Sequence, residues 1–352
     1  MEKLSVPMAA GTLTAFDALL DARTPSEYAE DHIPGAMSAP VLSDSERAEV
    51  GTLYKQVSPF EAKKLGGALV AKNVAAHVER HFRDKAKDWR PLVYCWRGGK
   101  RSGAMAHILR EIGWNAATLE GGYRAYRRWV VAELDRVPGR FTYVVVHGPT
   151  GSGKSRLLQT LGDAGAQVLD LERLAAHRGS VLGDLPDRRQ PTQKMFESTL
   201  LHALSQLDPR QPVFVEGESK KIGQVQVPDG LIQRMRAARC LALDADLETR
   251  VSLLLEEYQH FVADRAALEG QLDCLVGLHG RERIAEWKAL AAAGDWRSFV
   301  ARLLVEHYDP AYRKSSTRNF AGLAEAERVR IETPDGFAAV AARLAARERA
   351  AA

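Results

Sequence analysis

Two stretches of this chain place reactive and phosphate-binding residue types at fixed spacing. The first is Tyr94-Cys95-Trp96-Arg97-Gly98-Gly99-Lys100-Arg101-Ser102. Its cysteine follows a short apolar run and precedes a stretch with helical spacing. A loop between a strand and a helix turns successive backbone N–H groups toward one centre. That field, with Arg97, Lys100 and Arg101 close by, favours the thiolate, which is the nucleophilic form of the side chain. Cys95, Arg97 and Arg101 are therefore candidate catalytic residues. The bland alternative is a buried structural cysteine. Cys240 and Cys274 fit it, because neither has such neighbours, whereas Cys95 stands among glycines and three cations.

The second stretch, Gly148-Pro149-Thr150-Gly151-Ser152-Gly153-Lys154-Ser155, matches G-x-x-x-x-G-K-[ST] at every fixed position. It lies between an apolar run and a helical pattern, which is the context this motif requires. The backbone of Gly148, Thr150, Gly151, Ser152 and Gly153 can wrap phosphate oxygens, aided by a helix N-terminus. Lys154 can neutralise terminal phosphate oxygens, and the Ser155 hydroxyl can ligate Mg²⁺. Acidic partners for that ion are Asp170, Glu216 and Glu218, each at or just past the end of an expected strand. An acidic strand end is also a common solvated position. No residue stands out as orienting an attacking water, so a pyrophosphate-bearing substrate fits this loop as well as ATP does.

Both stretches need a parallel sheet beneath them. Thr24-Pro25-Ser26-Glu27-Tyr28 reads as a helix start, with proline in the first turn and glutamate soon after. His32-Ile33-Pro34-Gly35-Ala36 is a turn, and 45–85 reads mostly as helix. Pro91 to Tyr94 is a buried strand. Ser102 to Ile112 is helical, Asn115 to Leu119 is a strand broken by Gly121-Gly122, and Tyr123 to Leu134 is a helix. Arg136-Val-Pro-Gly-Arg140 is the expected linker. Beyond it, Tyr143 to Val146 is a strand and the helix after the Gly-rich loop runs to about Leu161. Gln167 to Leu171, Pro212 to Val215 and Cys240 to Leu243 are further strands, and helices dominate from Leu247 onward. Strands alternate with helices in both halves, which predicts α/β architecture with parallel sheets in two domains, 1–135 and 136–352.

The 352 residues suffice for two domains of ordinary size. With 45% hydrophobic and 27% charged residues, the composition is that of a soluble globular protein. No run approaches the roughly 18 apolar residues of a bilayer span, and Met1 to Leu13 lacks a signal-peptide pattern. The three scattered cysteines form neither a disulfide framework nor a zinc site, which favours a reducing cytoplasm. A formal net charge of +4 is compatible with a nucleic-acid partner without demanding one.

Asp21-Ala22-Arg23, His32-Ile33-Pro34-Gly35-Ala36, Cys95 in its loop and Gly121-Gly122-Tyr123-Arg124-Ala125-Tyr126 together resemble a rhodanese domain. In rhodaneses the loop cysteine carries a transferable chalcogen. Arg101 comes six residues after Cys95, giving C-x5-R, one residue longer than the common sulfur-transfer loop. That length resembles the cysteine-dependent phosphatases built on the same fold, and implies a cradle for a tetrahedral phosphate-like group.

A rhodanese module followed by a P-loop module resembles the bacterial tRNA 2-selenouridine synthases over essentially the whole chain. Leu174-Ala-Ala-His-Arg-Gly-Ser180, Gln190-Pro-Thr-Gln193 and Val215-Glu-Gly-Glu-Ser219 add to the match in order. The resemblance implies a rhodanese-like parallel-sheet domain followed by a P-loop NTPase-like α/β domain with a helical C-terminal region. It implies conversion of wobble 2-thiouridine in tRNA to 2-selenouridine, by S-geranylation with geranyl diphosphate and then selenation with selenophosphate. On that reading the P-loop binds the diphosphate, Mg²⁺ is expected, and Cys95 attacks or carries selenium. A selenophosphate-supplying enzyme becomes a natural partner.

A tRNA needs a basic surface with aromatic faces for an unstacked base. Arg124, Arg127 and Arg128, then Arg188 and Arg189, then Arg313 and Lys314 beside Tyr308 and Tyr312, are the candidates. Each cluster alone is equally the pattern of a solvated face. A geranyl chain needs an apolar slot, for which Phe261, Leu272, Leu275 and Leu278 are available, although such residues are more often plain core. Competing readings are a cysteine-dependent phosphatase fused to a small-molecule kinase, a tRNA sulfurtransferase, and a non-catalytic rhodanese-like adaptor. Against the phosphatase, the loop carries Trp96, Arg97 and Lys100 and no general-acid carboxylate.

Overall fold

The computed structural model describes residues 5–180, 182–185, 187–257, 264–313, 320–331, 333 and 336–351. The chain divides into two compact units, Met1–Glu133 with Glu197–His202, and Leu134–Phe196 with Ala203–Ala352.

The first unit is built on a parallel sheet ordered β1-β5-β4-β2-β3, with β1 Ser5–Val6, β2 Ala18–Asp21, β3 Met37–Ser38, β4 Pro91–Tyr94 and β5 Ala117–Leu119. Its middle strand β4 is buried at all four residues, as expected for a strand covered on both faces. Around it run α1 Pro25–Glu30, α2 Asp44–Gln56, α3 Pro59–His77, α4 Lys100–Ile112 and α5 Gly122–Arg136. Helix α1 opens with a capping box. The Thr24 hydroxyl accepts from the Glu27 N–H, and the Glu27 carboxylate accepts from the Thr24 N–H. Leu20, Val93, Met105 and Leu109 form the core with Phe82, Trp89 and Trp114.

The second unit has a parallel sheet ordered β12-β11-β6-β8-β7. The strands are β6 Tyr143–His147, β7 Gln167–Leu169, β8 Val213–Glu216, β11 Arg239–Asp244 and β12 Gly322–Arg330, while Lys221–Ile222 (β9) and Val225–Gln226 (β10) make a separate hairpin. The central strand β6 is buried throughout, and α6 Lys154–Asp163 follows it. Helices α7 Leu171–Ala175, α9 Asp229–Arg236 and α10 Leu247–Glu257 belong to this unit, while α8 Gln193–Ser205 is divided, its middle residues Glu197–His202 belonging to the first unit. Helices Arg265–Asp273, Val276–Ala292 and Trp296–Leu303 form their own apolar cluster around Trp287, which has no exposed surface.

Both α/β expectations hold. Helices also dominate beyond Leu247 as expected, and β12 is the one described strand among them that the sequence pattern did not signal. Its sequence, Gly-Leu-Ala-Glu-Ala-Glu-Arg-Val-Arg, is polar and mostly exposed, as an edge strand can be, so it carries no run of β-formers. Among the described residues no helix is long and apolar enough to cross a membrane.

Candidate active site

In the first unit, β4 delivers Cys95 to the C-terminal edge of the sheet, where ligands gather in open α/β folds. The side chain is 4% exposed, and its Sγ lies 3.2 Å from the Ser102 hydroxyl in the first turn of α4. The loop is shaped by the Gly121-Gly122 turn beneath it. The N–H groups of Tyr123 and Arg124 donate to the carbonyls of Cys95 and Trp96, at 2.8 and 3.1 Å. A Cβ on Gly122 would sit 2.2 Å from the Cys95 carbonyl oxygen, and one on Gly98 would sit 2.4 Å from that of Leu119. Both glycines also have positive φ. Close backbone approach therefore demands glycine at each.

Arg97 and Lys100 are exposed beside this loop. Arg101 is held differently. Its guanidinium makes a two-pronged bond to the Glu27 carboxylate, at 2.6 and 3.1 Å. Burial would raise the Glu27 carboxyl, but the bonds from Arg101 and Thr24 hold it below its usual range. Beneath lies a buried bidentate pair, Arg23 to Asp21, with the Arg23 guanidinium 4.0 Å from the Tyr123 ring centre. Tyr123 in turn stacks on the partly exposed Trp96 indole, 5.4 Å between centres.

In the second unit, β6 runs into the Gly148–Ser155 loop and α6 leaves it. Lys154 Nζ donates to the Gly148 carbonyl at 3.0 Å. The Ser155 hydroxyl donates to the Glu172 carboxylate at 2.7 Å, and the Glu172 N–H donates to Glu216 Oε1 at 2.6 Å. Glu216 is 1% exposed, and its other oxygen, Oε2, has no partner. Burial first, and then the nearby Glu218 charge, pushes the Glu172 carboxyl up to about 7. Burial, with Asp170 and Glu172 close by, drives Glu216 well above the carboxylate range. Ser152 is fully buried with an unpartnered hydroxyl, packed toward Gly148, so its side chain lies inside the loop.

All three acids expected there lie in this cluster, with Asp170 near enough to Glu216 to help raise it. The Asp170 carboxylate also caps α7, accepting the Arg173 N–H at 2.8 Å, and burial raises it. Glu172, two residues on, is the acid bonded to Ser155. The sequence signal for it is the Asp170-Leu171-Glu172 spacing at a strand end. Among the described residues no three His, Cys, Asp or Glu side chains are grouped to hold a metal by themselves. Mg²⁺ commonly uses only one or two carboxylates with substrate phosphates and water. A Ser155 hydroxyl, the Glu172 carboxylate and an orphaned Glu216 oxygen fit that demand.

Sequence reasoning also passed over Arg250 and His147. Arg250 is 6% exposed, donates twice to the Thr150 carbonyl at 2.9 and 3.0 Å, and pairs bidentately with Asp309. It braces the P-loop from α10. His147, at the end of β6, is buried without a partner for either ring nitrogen, and burial pulls it down to about 4. The Gln190 and Gln193 side chains are clamps. Gln190 donates to the Ala175 and Ile222 carbonyls and accepts from the Gln224 N–H, while Gln193 exchanges two bonds with the Gln226 backbone.

The basic residues expected to meet tRNA lie on separate elements. Arg124 and Arg128 are exposed on α5, whereas Arg127 is half-buried and ion-paired with Glu197. Arg188, 3.8 Å from Asp187, and Arg189 are exposed in the loop before α8. Arg313 is exposed, and Lys314 lies outside the described residues. The described residues expected for an apolar slot follow the plain-core alternative or stand in solvent. Leu272 and Leu275 are buried in the Trp287 cluster, Leu278 is 69% exposed, and Phe261 lies outside the described residues.

The family model described as "tRNA 2-selenouridine synthase AAA domain" matches residues 141–276, and the one described as "Rhodanese-like domain" matches residues 2–128. Curated relatives named tRNA 2-selenouridine synthase are similar over much of the chain. One from Nitrosomonas europaea is 38% identical over 68% of this chain and 63% of its own length. One from Sulfurovum sp. is 33% identical over 86% of this chain and 89% of its own length. One from Alcanivorax borkumensis is 32% identical, covering 86% and 92%. The match thus spans less than two thirds of the Nitrosomonas europaea relative and nearly all of the other two.

Proposed function

This chain belongs to the tRNA 2-selenouridine synthase family, and from that premise we propose that it is a cytoplasmic transferase converting wobble 2-thiouridine in tRNA to 2-selenouridine. The observation that carries this reading is the joining, on one chain, of a C-x5-R cysteine loop and a P-loop, each at the C-terminal edge of its own parallel sheet.

The P-loop takes the diphosphate of geranyl diphosphate. The thiouridine sulfur attacks the carbon bonded to the diphosphate oxygen, that C–O bond breaks, and pyrophosphate leaves with the electron pair. Lys154 leaves the Gly148 carbonyl to meet the departing oxygens, and loop N–H groups stabilise the rest of the charge. Mg²⁺ would be held by the Ser155 hydroxyl with Glu172 and Glu216, and would supply further charge neutralisation. Alkylation turns the sulfur into a leaving group. The cysteine loop takes the phosphate end of selenophosphate, where Arg97 and Lys100 are free to approach and Arg101 is fixed by Glu27. The Cys95 thiolate attacks phosphorus, the P–Se bond breaks and selenide leaves with the electron pair; selenide then attacks C2 of the base, the C2–S bond breaks and the geranyl thiolate departs, while water hydrolyses the S-phosphocysteine to phosphate. An enzyme that makes selenophosphate must act upstream.

The test is incubation of purified protein with 2-thiouridine tRNA, geranyl diphosphate and selenophosphate, followed by mass spectrometry of nucleosides. Geranylated and selenated products are expected. Neither product, with turnover of phosphate esters instead, establishes a phosphatase.

A further inference from the structure

We propose that the hydrocarbon tail of the alkyl donor enters an apolar cavity that opens on the P-loop, with the bulk of Trp296 and Phe299 limiting the length of tail that fits. This rests on the reading of Gly148–Ser155 as a diphosphate clamp.

The cavity encloses about 530 Å³, including solvent at its mouth. The P-loop contributes Thr150 to its lining, α10 contributes Leu254 and Leu255, and the helix Trp296–Leu303 contributes Phe299 and Val300. Among the described residues no charged side chain lines it, and Thr150 and Tyr308 carry the hydroxyls of the lining. A ribose and base would leave several donors and acceptors unmatched there, a cost that a hydrocarbon avoids.

The wall and the phosphate loop are one assembly. A Cβ placed on Gly151 would lie 2.8 Å from Leu254 Cδ1, so the leucine packs directly on the loop backbone. One turn earlier on the same helix, Arg250 holds the Thr150 carbonyl. A diphosphate seated in the loop therefore has an apolar wall beside it, set by α10. Trp296 and Phe299 meet edge to face, 6.1 Å between ring centres, and are the largest apolar groups in the lining. Such a pair resists displacement more than a flexible aliphatic wall.

Calorimetric titration of the full chain with inorganic pyrophosphate, geranyl diphosphate and farnesyl diphosphate tests this. Wild type is expected to bind geranyl diphosphate more tightly than pyrophosphate. Val300→Phe should weaken geranyl diphosphate by at least about tenfold and leave pyrophosphate unchanged. Trp296→Ala should shift preference toward farnesyl diphosphate. Unchanged geranyl diphosphate affinity in Val300→Phe overturns the cavity assignment and leaves the clamp intact. Failure of wild type to bind either pyrophosphate or geranyl diphosphate overturns the clamp itself. Should a variant misfold, a diazirine-bearing geranyl diphosphate analogue on wild type decides the matter. Cross-links within 254–255 or 296–308 support the cavity, and cross-links confined elsewhere overturn it.

Discussion

The two anion loops share a plan and differ in the charge state of the acid beside them. Each follows a buried parallel strand, each leads into a helix, and each has one cation already engaged. At the cysteine loop, Arg101 is matched by Glu27, and the pairing holds that acid in its ionised form. At the P-loop, Lys154 rests on a backbone carbonyl, and the neighbouring acids are raised because burial outweighs the cation near them. The first loop is internally neutralised and ready for a ligand that Arg97 and Lys100 can meet. The second holds carboxylic groups whose charge is suppressed until a cation arrives. Similar geometry thus yields a fixed cradle in one unit and a charge-responsive one in the other.

Substitutions can break this comparison, beginning with the largest expected effect. Cys95→Ser should lower selenation by at least about 10³-fold and spare geranylation. Loss of both would mean that the loops do not divide the reaction. Lys154→Ala should lower geranylation by about 10²–10³-fold, measured as geranylated tRNA formed per minute. An unaffected rate would remove the diphosphate from this loop. Glu27→Gln should slow the selenium step by about tenfold, through a loosened Arg101, while geranylation stays constant. Equal slowing of both steps would make Glu27 merely structural. Glu172→Gln gives the smallest effect. In wild type without divalent cations, pyrophosphate affinity should fall as pH rises through about 7, because the Glu172 carboxyl then ionises beside the anion. The variant should bind a few-fold more tightly above that pH and show a flatter profile. The same slope in both would place the titrating group elsewhere.

Much of the fold was legible because buried parallel strands such as Pro91–Tyr94 and Tyr143–His147 are short apolar runs bounded by glycine loops. The edge strand Gly322–Arg330 was not, because its partner supplies order that its own side chains do not signal. Within the sites, the motif residues were legible and their partners were not. Glu27 was visible as a helix-start residue, and its second bond, to Arg101, spans 74 positions. Arg250 reaches Thr150 across 100 positions. No local pattern encodes contacts of that range, since they arise only when the sheets bring distant segments together. The choice between slot and plain core for Leu272 and Leu275 was open in the sequence for a related reason. Leu272 and Leu275 have the right chemistry, but packing sends them into the helical core.

Strand β12 also bears on the order in which the chain acquires structure during synthesis. The first sheet is complete once residue 119 has emerged, since all its strands lie before that point. The second is not. β11 awaits its outer neighbour at 322–330, and Phe337 beyond it packs against Gly153 of the P-loop and joins the core with Leu157 and Leu253. A nascent chain with every strand of its first sheet would thus carry an unfinished second core until 322–344 has been made, with Val329, Ile331, Phe337, Ala341 and Leu344 the last apolar residues to join that core.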